Sequence, residues 1–299
     1  MSKVWLITGS SRGFGRRLAE AVLAQRNGDR LVATARHPEQ LADLVTQYGD
    51  AVRTVALDVT KAEQARAAVA AAVEAFGGLD VLVNNAGYGY VAAIEDASEA
   101  DLRTELETDL WGVINVTRAA LPIMRRQRVG HIIQFSSIGG RMGIAGLGAY
   151  HMAKWAVEGF SESLAREVEP LGIKVTIVEP GGFRTDFGIS SIRAKPPSAD
   201  YQGTVGQVMS FLHQVAGHEP GDPAKAAEAI IAIVKEEQPP RRLLLGRDAV
   251  QLARQIDQAK LAETDRWERL SASTDFDDVA GMTNQAESAP TLQTLLDLQ

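Results

Sequence analysis

Tyr150 and Lys154 stand four residues apart in a stretch with helical periodicity, so their side chains share one helix face. A phenol with an ordinary pKa of about 10 is a poor base at neutral pH, but an adjacent ammonium stabilises the phenolate. The pair could therefore give a proton to an oxygen or take one from it. Of the five tyrosines, only Tyr150 has a lysine four positions on. Ser136 and Ser137 close the apolar run that precedes this helix. A hydroxyl at the carboxyl end of a strand can hydrogen-bond a substrate oxygen, and the set as a whole suits acid–base work on a carbonyl or an alcohol.

The elements that must position these residues alternate regularly. Residues 3–8 form an apolar run closed by Gly9, and residues 13–25 carry Phe14, Leu18 and Val22 at helical spacing, giving strand, glycine-rich turn and helix. The spacing predicts further strands over 30–35, 52–57, 80–83, 131–135 and 174–178. Helices are predicted over 38–47, from a capping box at Thr60 and Glu63, over 98–127 and over 148–169. Parallel strands need crossover connections, so the chain predicts an α/β fold, a doubly wound parallel sheet of Rossmann type with helices on both faces.

Past Pro180 the pattern changes. Residues 187–221 mix glycines and prolines with apolar residues and read as an irregular or partly helical excursion, a substrate lid more mobile than the sheet. Asp222 and Pro223 open a helix, residues 242–245 a last strand, and residues 248–270 keep a helical pattern. The tail is acidic and polar until Leu292, Leu295, Leu296 and Leu298. The expected division is a catalytic domain over 1–247 and an extension over 248–299.

Gly9, Ser11, Arg12, Gly13, Phe14 and Gly15 fall at the first strand-to-helix junction, where backbone N–H groups and the helix dipole favour a phosphate. That placement points to a dinucleotide. Gly9-x-Ser11-x-Gly13 also fits the nucleophile elbow of a serine hydrolase, but only one strand precedes it and no downstream Asp and His pair stands out. An NAD site would carry an acidic residue about 20 positions past the glycines, at the end of the second strand. Arg36 is there instead, and with Arg12 it offers guanidinium groups to a 2′-phosphate, so NADP(H) is favoured over NAD(H).

Composition bounds the alternatives. The 299 residues are 45 % hydrophobic and 23 % charged, as in ordinary globular proteins, and the absence of cysteine excludes disulfides and thiolate chemistry. A net charge of -7 lacks the footprint of a nucleic-acid binder. No apolar run spans a bilayer or forms a signal-peptide core, which gives the cytoplasm as the expected location. The five histidines have no paired metal-ligand spacing, so no metal is expected.

Taken in order, these motifs resemble the short-chain dehydrogenase/reductase family, in the branch of the 17β-hydroxysteroid and retinol dehydrogenases. Thr8 to Gly15 matches the family's TGxxxGxG, Asp58 and Val59 its adenine contact, Asn84, Asn85, Ala86 and Gly87 its NNAG, and Tyr150 to Lys154 its YxxxK. Ser137 occupies the catalytic serine position, and Pro180, Gly181 and Thr185 match the segment that holds the nicotinamide carboxamide. The resemblance covers about residues 1 to 190. It implies an oxidoreductase in which Tyr150 is the acid/base, Ser137 orients the substrate oxygen, and Lys154 lowers the Tyr pKa and binds the nicotinamide ribose. It also implies a homo-oligomer paired through helices 102–127 and 148–169. The family's usual Asn on its fourth helix is replaced by Asp109, in the run Asp109-Leu110-Trp111-Gly112. In the family that Asn supports a water linked to the lysine, partly through its backbone, so Asp109 is expected to keep that role. His151 is expected only to repack its helix face.

The substrate is expected to be a small molecule, a lipophilic carbonyl or alcohol rather than a phosphorylated or carboxylated one. The candidate lining is Tyr88, Tyr90, Met142, Ile144 and Leu147, together with Phe183, Phe187, Ile189, Tyr201, Met209 and Phe211 from the chain after Pro180. Arg141, Arg184 and Arg193 are read as solvated loop charges, though any one turned inward could bind an acid. The competing class is an NADP(H)-binding sensor on the same fold, which would more naturally have lost Ser137, Tyr150 or Lys154.

Overall fold

The structure is a computed structural model that describes residues 2–276. In chain order it runs β1 (Val4–Ile7), α1 (Gly13–Ala24), β2 (Arg30–Ala35), α2 (Ala42–Tyr48), β3 (Val52–Ala56), α3 (Ala62–Phe76), β4 (Val81–Asn84), β5 (Gly89–Val91) and α4 (Glu99–Leu106). It continues with α5 (Gly112–Gln127), β6 (Gly130–Phe135), α6 (Gly148–Val168), β7 (Ile173–Pro180), β8 (Ile192–Ala194), α7 (Gln207–Val215), α8 (Pro223–Lys235), β9 (Arg242–Leu245) and α9 (Arg247–Ala272). Seven strands form one parallel sheet in the order β3-β2-β1-β4-β6-β7-β9. The doubly wound fold is therefore present. Strand order reverses between β1 and β4, and the crevice outside the carboxyl ends of those strands is where open α/β sheets bind ligands.

Alternation along each strand builds a core on each face. Trp5, Ile7, Leu31, Val83 and Ile133 pack against Leu18 and Val22 of α1 and Ile230 of α8, while Leu6, Val32, Leu82 and Ile132 pack against Val69, Val116 and Leu164 of α3, α5 and α6. Each such side chain contributes about 1.5–3 kcal/mol on burial. The first 250 residues form one compact unit, and the second begins at Gln251, inside α9. Among the described residues no helix is long and apolar enough to cross a membrane.

Several local expectations change. The predicted capping box does not form: α3 starts at Ala62, and Thr60 donates both its N–H and its hydroxyl to Asp58 Oδ1 (3.0 and 2.8 Å), which holds it in a turn ahead of the helix. The helix predicted over 38–47 splits into a 3₁₀ turn, Pro38–Leu41, and α2. Asp222 does cap α8, accepting from Ala224 N–H at 2.8 Å.

The excursion is better tied down than its composition implies. β8 pairs in parallel with β5, and Val205 is buried against Val91 and Ala93. Asp96 Oδ2 accepts from Ser198 N–H at 2.8 Å, and Glu95 accepts from the Tyr201 hydroxyl at 2.6 Å. Strands of three residues carry too little periodicity to be read from sequence. Leu292, Leu295, Leu296 and Leu298, and the side chain of Ile189, lie outside the described residues.

Candidate active site

The glycine turn is shaped by close approach. Gly9 and Gly13 have φ of +68° and +57°, and a Cβ on Gly15 would lie 2.3 Å from Gly9 O. The open N-terminus of α1 already attracts an anion, since Gly13 N–H donates to Asp186 Oδ2 at 3.2 Å. Thr185 approaches the same turn from the chain after β7. Backbone donors, small residues and helix polarity fit a dinucleotide pyrophosphate here.

Neighbouring elements fix that turn. Asn85 spends its side chain on it, donating to Thr8 O (2.9 Å) and Gly9 O (3.2 Å), while Thr8 Oγ1 accepts from Asn85 N–H and Ala86 N–H. Ser10 N–H donates to Thr34 O at 2.8 Å, which ties the turn to β2. Arg36 emerges exposed just past that strand, and Arg12 is exposed in the turn. Ser11 is partly buried beside Arg12. Phe14 packs on Phe135 and Phe183, with ring centroids 5.4 and 5.0 Å apart, and so joins the core beneath the site together with one expected lining residue. Val59 is buried beside Gly112, and Asp58 accepts from Thr60. Pro180 ends β7, Gly181 N–H donates to Leu245 O at 2.9 Å, and Gly182 N–H donates to Asp248 Oδ2 at 2.7 Å. Asp248 thus holds the loop after β7, a role its place in a long helical pattern did not reveal.

Ser137, Tyr150, Lys154 and Asp109 converge. Ser137 follows β6, its Oγ accepting from Gly139 N–H at 3.0 Å and hydrogen-bonding the Tyr150 phenol. Lys154 Nζ lies 5.5 Å from the centre of the Tyr150 ring, 3.3 Å from Phe135 O and 3.1 Å from Asp109 Oδ2. Asp109 reaches it from a π-helical turn, Glu107–Trp111, between α4 and α5. Its other oxygen accepts from Tyr88 N–H at 3.0 Å, and Gly87 leaves room for the carboxylate, since a Cβ there would sit 2.7 Å from Oδ2. The role expected of Asp109 through its backbone is thus accompanied by direct side-chain contact with the lysine.

These groups shift one another. Burial pushes the Tyr150 phenol up, while Lys154 and the Ser137 hydrogen bond pull it down. Burial alone would lower the Lys154 ammonium, but Asp109 and Tyr150 raise it above its usual value. Burial raises Asp109 against the opposing pull of Lys154. Lysine therefore stays charged beside the phenol.

His151 does more than repack a helix. Its Nε2 accepts from Ile144 N–H at 3.2 Å, which leaves the Nδ1 proton to donate to Gly139 O at 2.7 Å. The ring thereby clamps the loop between Ser137 and Tyr150. Arg141 is also no solvated charge: its Nε donates to the fully buried Glu179 at 2.8 Å. Arg184 donates to Glu219 O, and Arg193 lies over the Tyr88 ring with its guanidinium carbon 4.9 Å from the centre.

The lining divides. Phe187 meets the Tyr150 ring at 5.9 Å, and Tyr88, Met142 and Ile144 lie on neighbouring loops. Tyr90 does not line the site, because it is buried with Ala92 and Ala149 and its hydroxyl donates to Asp101. Leu147, Tyr201 and Met209 pack beneath, around Val91 and Val205, and Phe211 is 60 % exposed on α7. Three-residue strands and surface helices do not announce which way their aromatics face. Among the described residues no group of three or more His, Asp or Glu residues could hold a metal ion.

Comparison with known proteins agrees with this geometry. The family model for short chain dehydrogenase matches residues 3–195. Oxidoreductase BOA17 of Botryotinia fuckeliana is 48 % identical over 275 residues, covering 92 % of this chain and 100 % of that protein. A short-chain dehydrogenase from Streptomyces avermitilis superposes with a TM-score of 0.85 at 44 % identity, over 92 % of this chain and 100 % of that one. An alcohol dehydrogenase from the archaeon Thermococcus sibiricus, complexed with 5-hydroxy-NADP, superposes with a TM-score of 0.66 at 29 % identity, over 82 % and 96 % of the two chains. With a glycine turn after β1 and a serine after β6, and a phenol and lysine on α6, the chain belongs to the short-chain dehydrogenase family and is an oxidoreductase acting on CH–OH groups.

Proposed function

We propose that the protein is an NADP(H)-dependent oxidoreductase that interconverts a lipophilic ketone or aldehyde with its alcohol. The observation that carries this is the contact of Ser137 and Lys154 with Tyr150, beside the glycine turn and facing Phe187. When bound, the nicotinamide supplies or accepts the hydride. Tyr150 gives its proton to the carbonyl oxygen, or takes it back from the alcohol. Ser137 orients that oxygen, and the Lys154 ammonium stabilises the phenolate left behind. Gly9, Ser11, Gly13, Gly15, Asn85, Ala86 and Gly87 shape the cofactor bed, Asp58 and Val59 flank the adenine, and Pro180, Gly181 and Thr185 hold the carboxamide end.

Arg12 and Arg36 support NADP(H), being exposed at the edge where the adenosine 2′ position would lie, with no acidic residue at position 36. The bound 5-hydroxy-NADP of the archaeal relative points the same way. A neutral, lipophilic substrate is supported by Phe187 beside Tyr150, and by the partners already engaging Arg141, Arg184 and Arg193. A homo-oligomer is part of the proposal. Trp111, Met152 and Trp155 are 45–48 % exposed at and along the helices expected to pair, an apolar surface that a second copy would cover.

The test is a panel of ketones, aldehydes and keto acids with NADPH and with NADH, read by nicotinamide absorbance. Faster reduction of bulky neutral ketones with NADPH is expected. Preferential reduction of small keto acids overturns the substrate class, and tight NADPH binding without turnover would favour the sensor.

A further inference from the structure

Glu179 is completely buried near the end of β7, one residue before Pro180. Its Oε1 accepts from Arg141 Nε at 2.8 Å and lies 3.5 Å from Arg242 Nε. The same Arg242 nitrogen donates to Glu158 Oε2 at 3.0 Å, and Arg242 Nη1 donates to Glu162 Oε1 at 3.0 Å. This cluster ties together the pieces of chain that carry the site. Arg141 stands in the loop between Ser137 and Tyr150, Glu179 leads into Gly181, and Arg242 opens β9, whose Leu245 O receives the Gly181 N–H. Glu158 lies on α6 four residues past Lys154 and eight past Tyr150, so it shares their helix face.

The two arginines reach only one oxygen of each buried carboxyl group. The other oxygens, Glu158 Oε1 and Glu179 Oε2, are buried with no donor in hydrogen-bonding geometry among the described residues, and so is Ser136 Oγ, which borders Glu158 across Gly140. Three oxygens thus have one hydrogen among them, that of the Ser136 hydroxyl. A buried carboxylate oxygen without a donor is costly, and so are two buried carboxylates on one guanidinium nitrogen. A proton on the pair removes both costs, and Glu158 and Glu179 hydrogen-bond each other, a contact that two carboxyl groups make only with a proton between them. Burial and then the Glu179 charge push the Glu158 carboxyl up to about 7, against the pull of the Ser136 hydroxyl and Arg242. The outer charges, Arg166 and Arg241, act on Glu162.

We propose that Glu179 is a positioning residue for the reaction: gripping Arg141 on one side and sharing one proton with Glu158 on the other, it holds the Ser137 loop against the strand that delivers Pro180 and Gly181. This rests on the reading that Ser137 orients the substrate oxygen and that the segment after β7 holds the nicotinamide carboxamide. The spacing of those two parts is then set by a tie across the carboxyl edge of the sheet. With the proton in place, Glu158 donates to Glu179 Oε2 and leaves Glu179 Oε1 to the arginines. When the proton leaves, the two carboxylates repel and the tie loosens, so turnover falls although every reacting group is still present. Glu179 touches no reacting atom and acts through Arg141.

Arg141→Met cuts the tie at the loop, where the side chain is partly exposed, and leaves the buried pair on Arg242. Misplacing reacting groups by about 1 Å can cost about 10²-fold, so kcat below pH 7 is expected to fall at least about tenfold while NADPH affinity, read by fluorescence, changes far less. A kcat within about twofold of the unmodified protein, or a loss of affinity as large as that of kcat, overturns the proposal. Glu158→Gln keeps a permanent donor toward Glu179. The kcat of the unmodified protein is expected to decline above about pH 7 and that limb to be missing from Glu158→Gln, whereas the same limb in both overturns the shared proton. Thermal melts read the proton without turnover. Glu158 gains its proton near pH 4.5 in the unfolded chain and near 7 in the folded one, so the stability it adds is full below 4.5 and lost as pH rises through 7. The unmodified midpoint should fall across that window relative to Glu158→Gln, and parallel midpoints also overturn the proposal. If no substrate turns over at all, the proposed activity falls while the melts still decide whether the pair holds a proton.

Discussion

Lys154 Nζ lies 3.1 Å from Asp109 Oδ2, and Asp109 is completely buried. Removing one partner of a buried ion pair typically costs about 3–5 kcal/mol, because the other charge is left uncompensated. The family resemblance alone treats Asn and Asp as interchangeable here, with an effect on turnover within about tenfold. The direct ion pair reverses that expectation. Asp109→Asn should lower turnover more than tenfold, at least about 1.4 kcal/mol of barrier, and should lower the thermal midpoint. Steady-state kinetics and a thermal melt measure the two losses, and unchanged values in both would show that the ion pair does neither job.

Tyr150→Phe keeps a ring against His151 and Phe187 but removes the proton. Turnover should fall by about 10² to 10⁴-fold while NADPH affinity, read by fluorescence titration, stays nearly unchanged. Lys154→Ala should damage both, since one side chain is asked to stabilise the phenolate and to bind the ribose.

Arg36 is exposed one residue past β2. Hydrogen bonds to charged groups are worth about 1.5–3 kcal/mol each, so the unmodified protein should prefer NADPH over NADH by roughly ten- to a hundredfold. Arg36→Asp should invert the ratio of kcat/KM values for the two cofactors. Equal use of both by the unmodified protein would contradict the assignment of the 2′-phosphate site.

His131 gives a pH dependence unrelated to catalysis. Thr176 donates its hydroxyl to Pro240 O, so Thr176 Oγ1 must accept from His131 Nε2, and the buried Nδ1 has no partner among the described residues. Burial, then Lys174 and Lys3, lower the ring pKa to about 3. The unfolded chain takes up a proton near pH 6.5 and the folded one does not, so this stability is full above about 6.5 and is lost as pH falls toward 3. The loss approaches about 1.4 kcal/mol per pH unit. His131→Gln should flatten denaturation free energy against pH across that window, and an identical slope would refute the buried neutral ring.

The glycine turn, the βα alternation, Tyr150 with Lys154 and Ser137 were legible in the sequence because each is a local statement. Glycine at a strand end, apolar periods of two or 3.6, and a phenol four residues from an amine keep their meaning without knowing what packs beside them. Even so, local statements failed where a neighbour competed. Thr60 bonded Asp58 instead of capping α3, and Tyr90 turned into the core to meet Asp101.

What only the tertiary structure decided was which distant groups share a dielectric. Asp109 and Lys154 are 45 positions apart in the chain, Arg141 and Glu179 are 38 apart, and Gly182 and Asp248 are 66 apart. Glu105 looks in sequence like any helix-surface glutamate, since a carboxylate four residues before another is ordinary on a solvated face. Folding removes water from both carboxyl groups and sets Lys154 beside Asp109, and in that dry surrounding charge is screened far less. The sequence alone therefore determined the fold and which candidate side chains meet at the site. The burial that raises the Glu105 carboxyl, and the Asp109 charge that raises Lys154 against its own burial, arose only when α4, α6 and the sheet came together.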